Sequence, residues 1–217
     1  MGVNSGRIPQ LDFPLRGVWK AIRSPGHHRF AYDFAASGED QKLFSVSTAK
    51  LLIGKASVDD SYGWSKPVYS PVDGKIVAAS DGWPDQQGLN LVRNLIRVFA
   101  MSVLQAQKVR EDLRTFAGNY VIIASDGYYV LLAHLREGSL MVTSGQSISR
   151  GEQVANVGNS GNSAAPHLHL QVNDDSNPLD SKIKEFRFTR YDCWMRESWE
   201  TKLGTAPEKG TLIRYYD

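Results

Sequence analysis

Cysteine is nearly absent. Cys193 stands alone in 217 residues, so no intrachain disulfide can form and no multi-cysteine metal site can be built. It is expected as a small buried apolar residue. Long hydrophobic runs are missing as well: stretches such as "YYVLLAHL" (128–135) fall far short of the roughly 20 residues a bilayer span needs. The opening "MGVNSGRIPQLDFPLRG" has no positive start followed by an apolar core, so no export signal is read in it. The chain is therefore expected to be soluble without a membrane span, either cytoplasmic or exported with its signal removed. Charge of one sign is scarce too. The net charge of +2 is spread along the chain, which speaks against nucleic acid or an anionic membrane surface as a partner. Repeats are lacking, since the "GNSGNS" doublet at 158–163 is too short to define one.

What is present is mostly β pattern. "RFAYDF" (29–34), "PVYSPVDGKIVAAS" (67–80), "NYVIIAS" (119–125), "YYVLLAHL" (128–135), "SLMVTSG" (139–145), "EQVANVG" (152–158) and "HLHLQV" (167–172) are rich in β-branched and aromatic residues. Turn signals separate them, and Ser125-Asp126-Gly127 between two apolar runs marks a hairpin. The expected class is mainly β: an antiparallel, two-sheet folded sandwich of the duplicated hybrid or barrel-sandwich type. The length suits one domain, large enough to bury a core without staples.

Residues 89–116 break the pattern. They contain no Gly or Pro, and Leu91, Leu95, Val98, Met101 and Val109 recur at helical spacing. This predicts a helical insertion of one long or two short helices. The ordinary place for it is against the sheet; a groove wall or a contact with a second copy are the alternatives. Residues 35–66 read as a long polar connection. In 173–217 the aromatics Phe186, Phe188, Trp194 and Trp199 are expected to dock a tail onto the core.

Five histidines fall into three groups: His27 and His28, His134, and His167 with His169. His167 and His169 are two apart in a predicted strand and share a face. His134 ends another strand, and His27 and His28 precede a strand carrying Asp33. Zinc takes imidazole and carboxylate ligands, and a catalytic site uses three of them and leaves a position for water. It lowers the pKa of that water and polarises a carbonyl. Two histidines and an aspartate as ligands would leave two histidines to move a proton or stabilise an oxyanion.

The same residues carry a resemblance. "GNYVIIASDGYYVLLAHLREGSLMVTSGQSISRGEQVANVGNSGNSAAPHLHLQV" (118–172) resembles the core of the lysostaphin-type (LytM-like) zinc metallopeptidases, with their "AHL" strand end and "GNSG–S–PHLH" string. "PVYSPVDGKIVAAS" and "HHRFAYDF" resemble that family's strand pair and its "H…DF" metal motif. The resemblance implies a zinc endopeptidase with one Zn2+ per chain, acting on peptide bonds in peptidoglycan crosslinks or stem peptides. It implies His27 or His28, Asp33 and His169 as metal ligands, and His134 and His167 as catalytic residues. It places the core of a single metallopeptidase domain (1–217) at 27–34 and 67–172, with an insertion at 81–117 and a C-terminal extension at 173–217.

One spacing departs from the family. Its simplest motif has three residues between His and Asp, and counting back from Asp33 that way reaches Arg29. On a regular strand His27 would share a face with Asp33 and His28 would not, which favours His27, although a bulge would reverse this. The Gly158 and Gly161 turn is read as a plain tight loop, with Asn162 and Ser163 bonding the loop or a substrate. Two other readings compete: a non-catalytic LytM-like binding or regulatory module, and a cytoplasmic zinc peptidase with a non-wall substrate. A lipoyl- or biotinyl-carrier module lacks an "MKM"-like triplet and leaves the histidines unexplained.

Overall fold

The computed structural model describes residues 7–22, 27–104 and 112–216. Among them the alternating sequence becomes sixteen strands: β1 (Gln10–Leu11), β2 (Gly17–Ile22), β3 (Tyr32–Ala36), β4 (Ala56–Ser57), β5 (Pro67–Tyr69), β6 (Gly74–Ser80), β7 (Gly88–Leu89), β8 (Asn119–Ser125), β9 (Tyr128–Leu135), β10 (Ser147–Ile148), β11 (Gln153–Asn156), β12 (Leu168–Asn173), β13 (Ile183–Lys184), β14 (Arg187–Met195), β15 (Ser198–Thr205) and β16 (Leu212–Tyr215). Three helices accompany them: α1 (Thr48–Leu52), α2 (Leu91–Leu104) and α3 (Arg114–Ala117). The protein is mainly β, as its sequence pattern predicts.

One twelve-stranded ladder runs β1-β14-β16-β2-β3-β12-β9-β8-β6-β10, with β13 beside β12 and β15 beside β14. Every pairing among the described residues is antiparallel except β1 with β14. The separate pair β5–β11 packs Val68, Val154 and Ala155 into the same core as Trp19, Phe34, Ile123, Leu132 and Leu170. Alternation sorts the two faces. On β12, Leu168, Leu170 and Val172 enter that core with no exposed surface, each contributing about 1.5–3 kcal/mol by burial. His169, Gln171 and Asn173 take the other face.

Four sequence expectations are corrected. Residues 139–145 form no ladder: Met141 N–H bonds the Val154 carbonyl at 2.9 Å and Gly145 N–H the Ile76 carbonyl at 2.8 Å, two different neighbours, so no register develops. The strand placed at 29–34 begins only at Tyr32, because Ala31 N–H closes a turn onto the His28 carbonyl at 3.0 Å. The segment 173–217 is no mere docked tail, since β14 and β16 are rungs of the main ladder next to β2. Phe186 and Phe188 reach the core, while Trp194 and Trp199 face each other across the β14–β15 hairpin, 5.2 Å apart.

The fourth concerns the insertion. Helices occur at Leu91–Leu104 and Arg114–Ala117, and Val109 lies outside the described residues. α2 packs beside the small cluster of 35–66 instead of on the sheet: of the predicted stripe, Leu91 joins that cluster, Val98 and Met101 are half-buried and Leu95 is exposed. Val92, Leu95, Ile96 and Phe99 are exposed, while Asn94 and Arg97 turn inward to the loop before β12. The connection 35–66 builds a small cluster of its own, in which Leu51, Ala56, Val58 and Leu89 pack with Leu91 and Ala165. Cys193 is buried and unpaired, as expected.

Candidate metal centre

Strand register makes the first half of the site. His169 on β12 stands opposite Asp33 on β3 and Ala133 on β9, and directly opposed residues share a face. The His169 Nδ1 atom lies 2.8 Å from Asp33 Oδ1. The turn at 28–31 brings His27 back over the strand end, with Nδ1 3.1 Å from Asp33 Oδ2. The same turn leaves His28 exposed, with its Nδ1 accepting from Phe30 N–H at 3.3 Å. The strand periodicity that favoured His27 does not operate here, because the stretch is a turn; it is the turn that brings His27, and not His28, beside Asp33.

His27, Asp33 and His169 offer donor atoms all within 4.8 Å of one another. Donors on one tetrahedral zinc stand about 3.3 Å apart, so small side-chain motions suffice to bring all three onto one ion. The His27 Nδ1 atom is buried and makes no hydrogen bond, although Asp33 is close. Nitrogen and oxygen donors in this number fit zinc.

The second half of the site depends on an irregularity. Between β8 and β9, Asn119 pairs with Leu135 and Val121 with Leu132, so β9 carries one extra residue. Leu132 and Leu135 both enter the core, and His134 between them is bulged out. Its φ of 60° is left-handed, a conformation costing a non-glycine residue about 1–2 kcal/mol. The bulge sets the His134 ring 4.7 Å from that of His167 and 5.8 Å from that of His169. On a regular strand it would have faced the core.

Main-chain carbonyls orient both rings. His134 Nδ1 is 3.0 Å from the Ser160 carbonyl, and His167 Nδ1 is 2.8 Å from the Ala165 carbonyl. A carbonyl only accepts, so each Nδ1 carries the proton and each Nε2 is left for other work. His167 Nε2 sits 3.5 Å from Asp33 Oδ1. Burial drives the His134 pKa well below the usual imidazole range, helped by repulsion from His167 and His169. Burial also works against the His167 cation, but the Asp33 carboxylate beside it wins and raises its pKa. For Asp33 burial pushes upward, yet His167, His169 and His27 together hold the carboxyl well below its ordinary value.

The loop 158–165 that supplies these carbonyls is held by the insertion. Arg97 donates to the Ser163 carbonyl at 2.5 Å and Asn94 to the Ala164 carbonyl at 2.9 Å. Gln86 donates to the Gly161 carbonyl at 2.8 Å, and Asp85 accepts from Asn159 N–H at 2.6 Å. Asn162 and Ser163 bond helix and loop: Asn162 donates to the Val98 carbonyl at 3.3 Å, and Ser163 donates to the Ala165 carbonyl at 2.8 Å. Gly161, at φ 66°, lies so close to the Gly118 backbone that a side chain on either has no room. That approach carries Phe116 to within 6.4 Å of the His134 and His169 rings. None of Asp85, Gln86, Asn94, Arg97 or Phe116 is flagged by any motif.

Beside the donors, away from His134 and His167, lies a cavity of about 280 Å³. Its polar edge is His27, His28, His169 and Gln171, and its apolar wall includes Leu113, Phe116 and Leu179.

The sheet face thus gathers two imidazoles and a carboxylate into one candidate donor set for a metal ion, with two more imidazoles alongside. The family model of Peptidase family M23 matches residues 56–181, and the chain belongs to that family. Two curated relatives, the peptidoglycan DD-endopeptidases ShyA and ShyB of Vibrio cholerae serotype O1, are each 33% identical over 66 residues. The match takes in 30% of this chain but only 15% of either relative's length. Among solved structures, the catalytic domain of lysostaphin from Staphylococcus simulans is 16% identical, with 81% of this chain and 88% of that one covered and a TM-score of 0.40. No helix among the described residues is long and apolar enough to cross a membrane.

Proposed function

We propose that this protein is a zinc-dependent endopeptidase that hydrolyses peptide bonds in peptidoglycan crosslinks or stem peptides. We further propose that residues 1–217 form one peptidase domain, a reading supported by β2, β14 and β16 sharing a ladder with β3 and β12. The observation that carries the reading is the donor set of half-buried His27 with buried Asp33 and His169, with two further histidines beside it. The relatives' printed activity supports the choice of wall peptides.

His27, Asp33 and His169 would hold the ion. When bound, zinc supplies Lewis acidity toward the scissile carbonyl and the attacking water. His134 and His167 provide the proton chemistry. With both Nδ1–H groups committed to carbonyls, the two Nε2 atoms do the work: one ring, neutral, takes the proton of the attacking water on Nε2, and the other, carrying a second proton, donates Nε2–H to the developing oxyanion. The cavity receives a small uncharged side chain of the substrate, because its wall has apolar carbon and no acid.

Two measurements test this. Metal analysis of the purified protein is expected to find one zinc per chain, and digestion of purified peptidoglycan is expected to release defined cleaved peptides. A metal-free protein that binds muropeptides without cleaving them overturns the reading in favour of a binding module.

A further inference from the structure

Three polar side chains follow one another at alternate positions on the outer face of β12: His169, Gln171 and Asn173. Their exposures are 2%, 7% and 1%. Buried amides are costly unless bonded, and these are bonded into a single line. His169 Nε2 is 3.0 Å from Gln171 Oε1, Gln171 Nε2 donates to Asn173 Oδ1 at 3.0 Å, and Asn173 Nδ2 donates to Ser181 Oγ at 2.6 Å. An amide has a donor end and an acceptor end, so with Asn173 presenting Oδ1 to Gln171 Nε2, Gln171 presents Oε1 to the imidazole. What meets His169 is a carbonyl oxygen, which can only accept.

We propose that Gln171 and Asn173 are positioning residues that fix the proton of His169 on Nε2 and so keep Nδ1 as a bare lone pair toward the metal. The proposal rests on the reading of His169 as a ligand. The same line run backwards would set an amide N–H against Nε2 and drive the proton to Nδ1. There it would close onto Asp33 Oδ1, 2.8 Å away, as a hydrogen bond. The amide direction therefore decides whether His169 and Asp33 are two ligands or a hydrogen-bonded pair. Partners on the non-coordinating nitrogen commonly orient a metal-bound histidine. Here that partner is a neutral amide, itself oriented by a second amide two residues further on.

The test is zinc affinity by chelator competition, with circular dichroism of the zinc-free proteins as the control for folding. Gln171→Leu is expected to lose about 10–100-fold in affinity. Gln171→Glu, which as a carboxylate only accepts, is expected to keep most of it. Asn173→Leu, one bond further out, is expected to weaken binding while Asn173→Asp does not. In 15N spectra of the wild type, the His169 proton is expected on Nε2. Equal zinc affinity of Gln171→Leu and wild type overturns the proposal, as does a proton on Nδ1 in the zinc-loaded protein. A wild type whose zinc binding is indifferent to Asp33→Ala overturns instead the ligand reading beneath it, a result visible before any Gln171 variant is made.

Discussion

His167 and His169 are two residues apart, yet they are held by different kinds of structure. His169 sits inside β12, placed by pairing with β3 and β9. His167 precedes the strand and is placed by the Ala165 carbonyl and Ser163 Oγ of a loop, which the insertion in turn grips through Arg97 and Asn94. On the proposed reading, the ligand corner is fixed by sheet hydrogen bonds that the whole core supports, and the catalytic corner by single side-chain bonds to main-chain carbonyls and by one bulge. The donor set and the proposed proton-handling groups are thus held by different kinds of structure.

The sharpest way to break the comparison is Asp33→Ala. It removes the residue central to the donor set, and the expected result is loss of zinc and of all peptidase activity, read by metal analysis and peptidoglycan digestion. His134→Ala and His167→Ala strike the other corner. Zinc content is expected to stay while turnover falls by about 10²–10⁴-fold; loss of zinc in either variant would merge the two corners into one. Arg97→Met cuts a charged grip on the loop, a bond worth about 1.5–3 kcal/mol. It is expected to leave zinc affinity unchanged, lower kcat, and speed amide hydrogen exchange across 160–165. His134→Gly separates backbone from side chain: it loses the ring and its bond to the Ser160 carbonyl just as His134→Ala does, but glycine takes the left-handed φ of 60° without strain, so thermal unfolding is expected to show it about 1 kcal/mol more stable than His134→Ala, with turnover equally depressed. Phe99→Ser, on the exposed side of α2, is expected to change stability by no more than about 0.5 kcal/mol.

The ligand corner was the more legible in the sequence. Period-two alternation in 167–172 and the apolar runs at 119–125 and 128–135 gave strands at those positions, and the separation of His167 from His169 pointed to a common site. Local pattern could not reveal the bulge at His134, because "YYVLLAHL" alternates no differently at its end than in its middle. The mismatch exists only against β8. Nor could it show that α2 turns Asn94 and Arg97 inward, since helical spacing identifies an apolar stripe without saying which side meets the protein. The strands of 187–215 were hidden for a related reason: β14 and β15 alternate with charged residues on the solvent side, and the segment's other partners lie at the far end of the chain, β1 beside β14 and β2 beside β16.

The extra residue in β9 also has a meaning for how the sheet can change. Deleting Ala133 would mend the ladder, let every rung from Asn119 to Ser125 find its partner, and set the imidazole in regular register opposite His169, without the left-handed turn that now aims it. The better-ordered sheet would be the poorer catalyst. Selection for thermal robustness and selection for turnover would thus pull on the same single position in opposite directions.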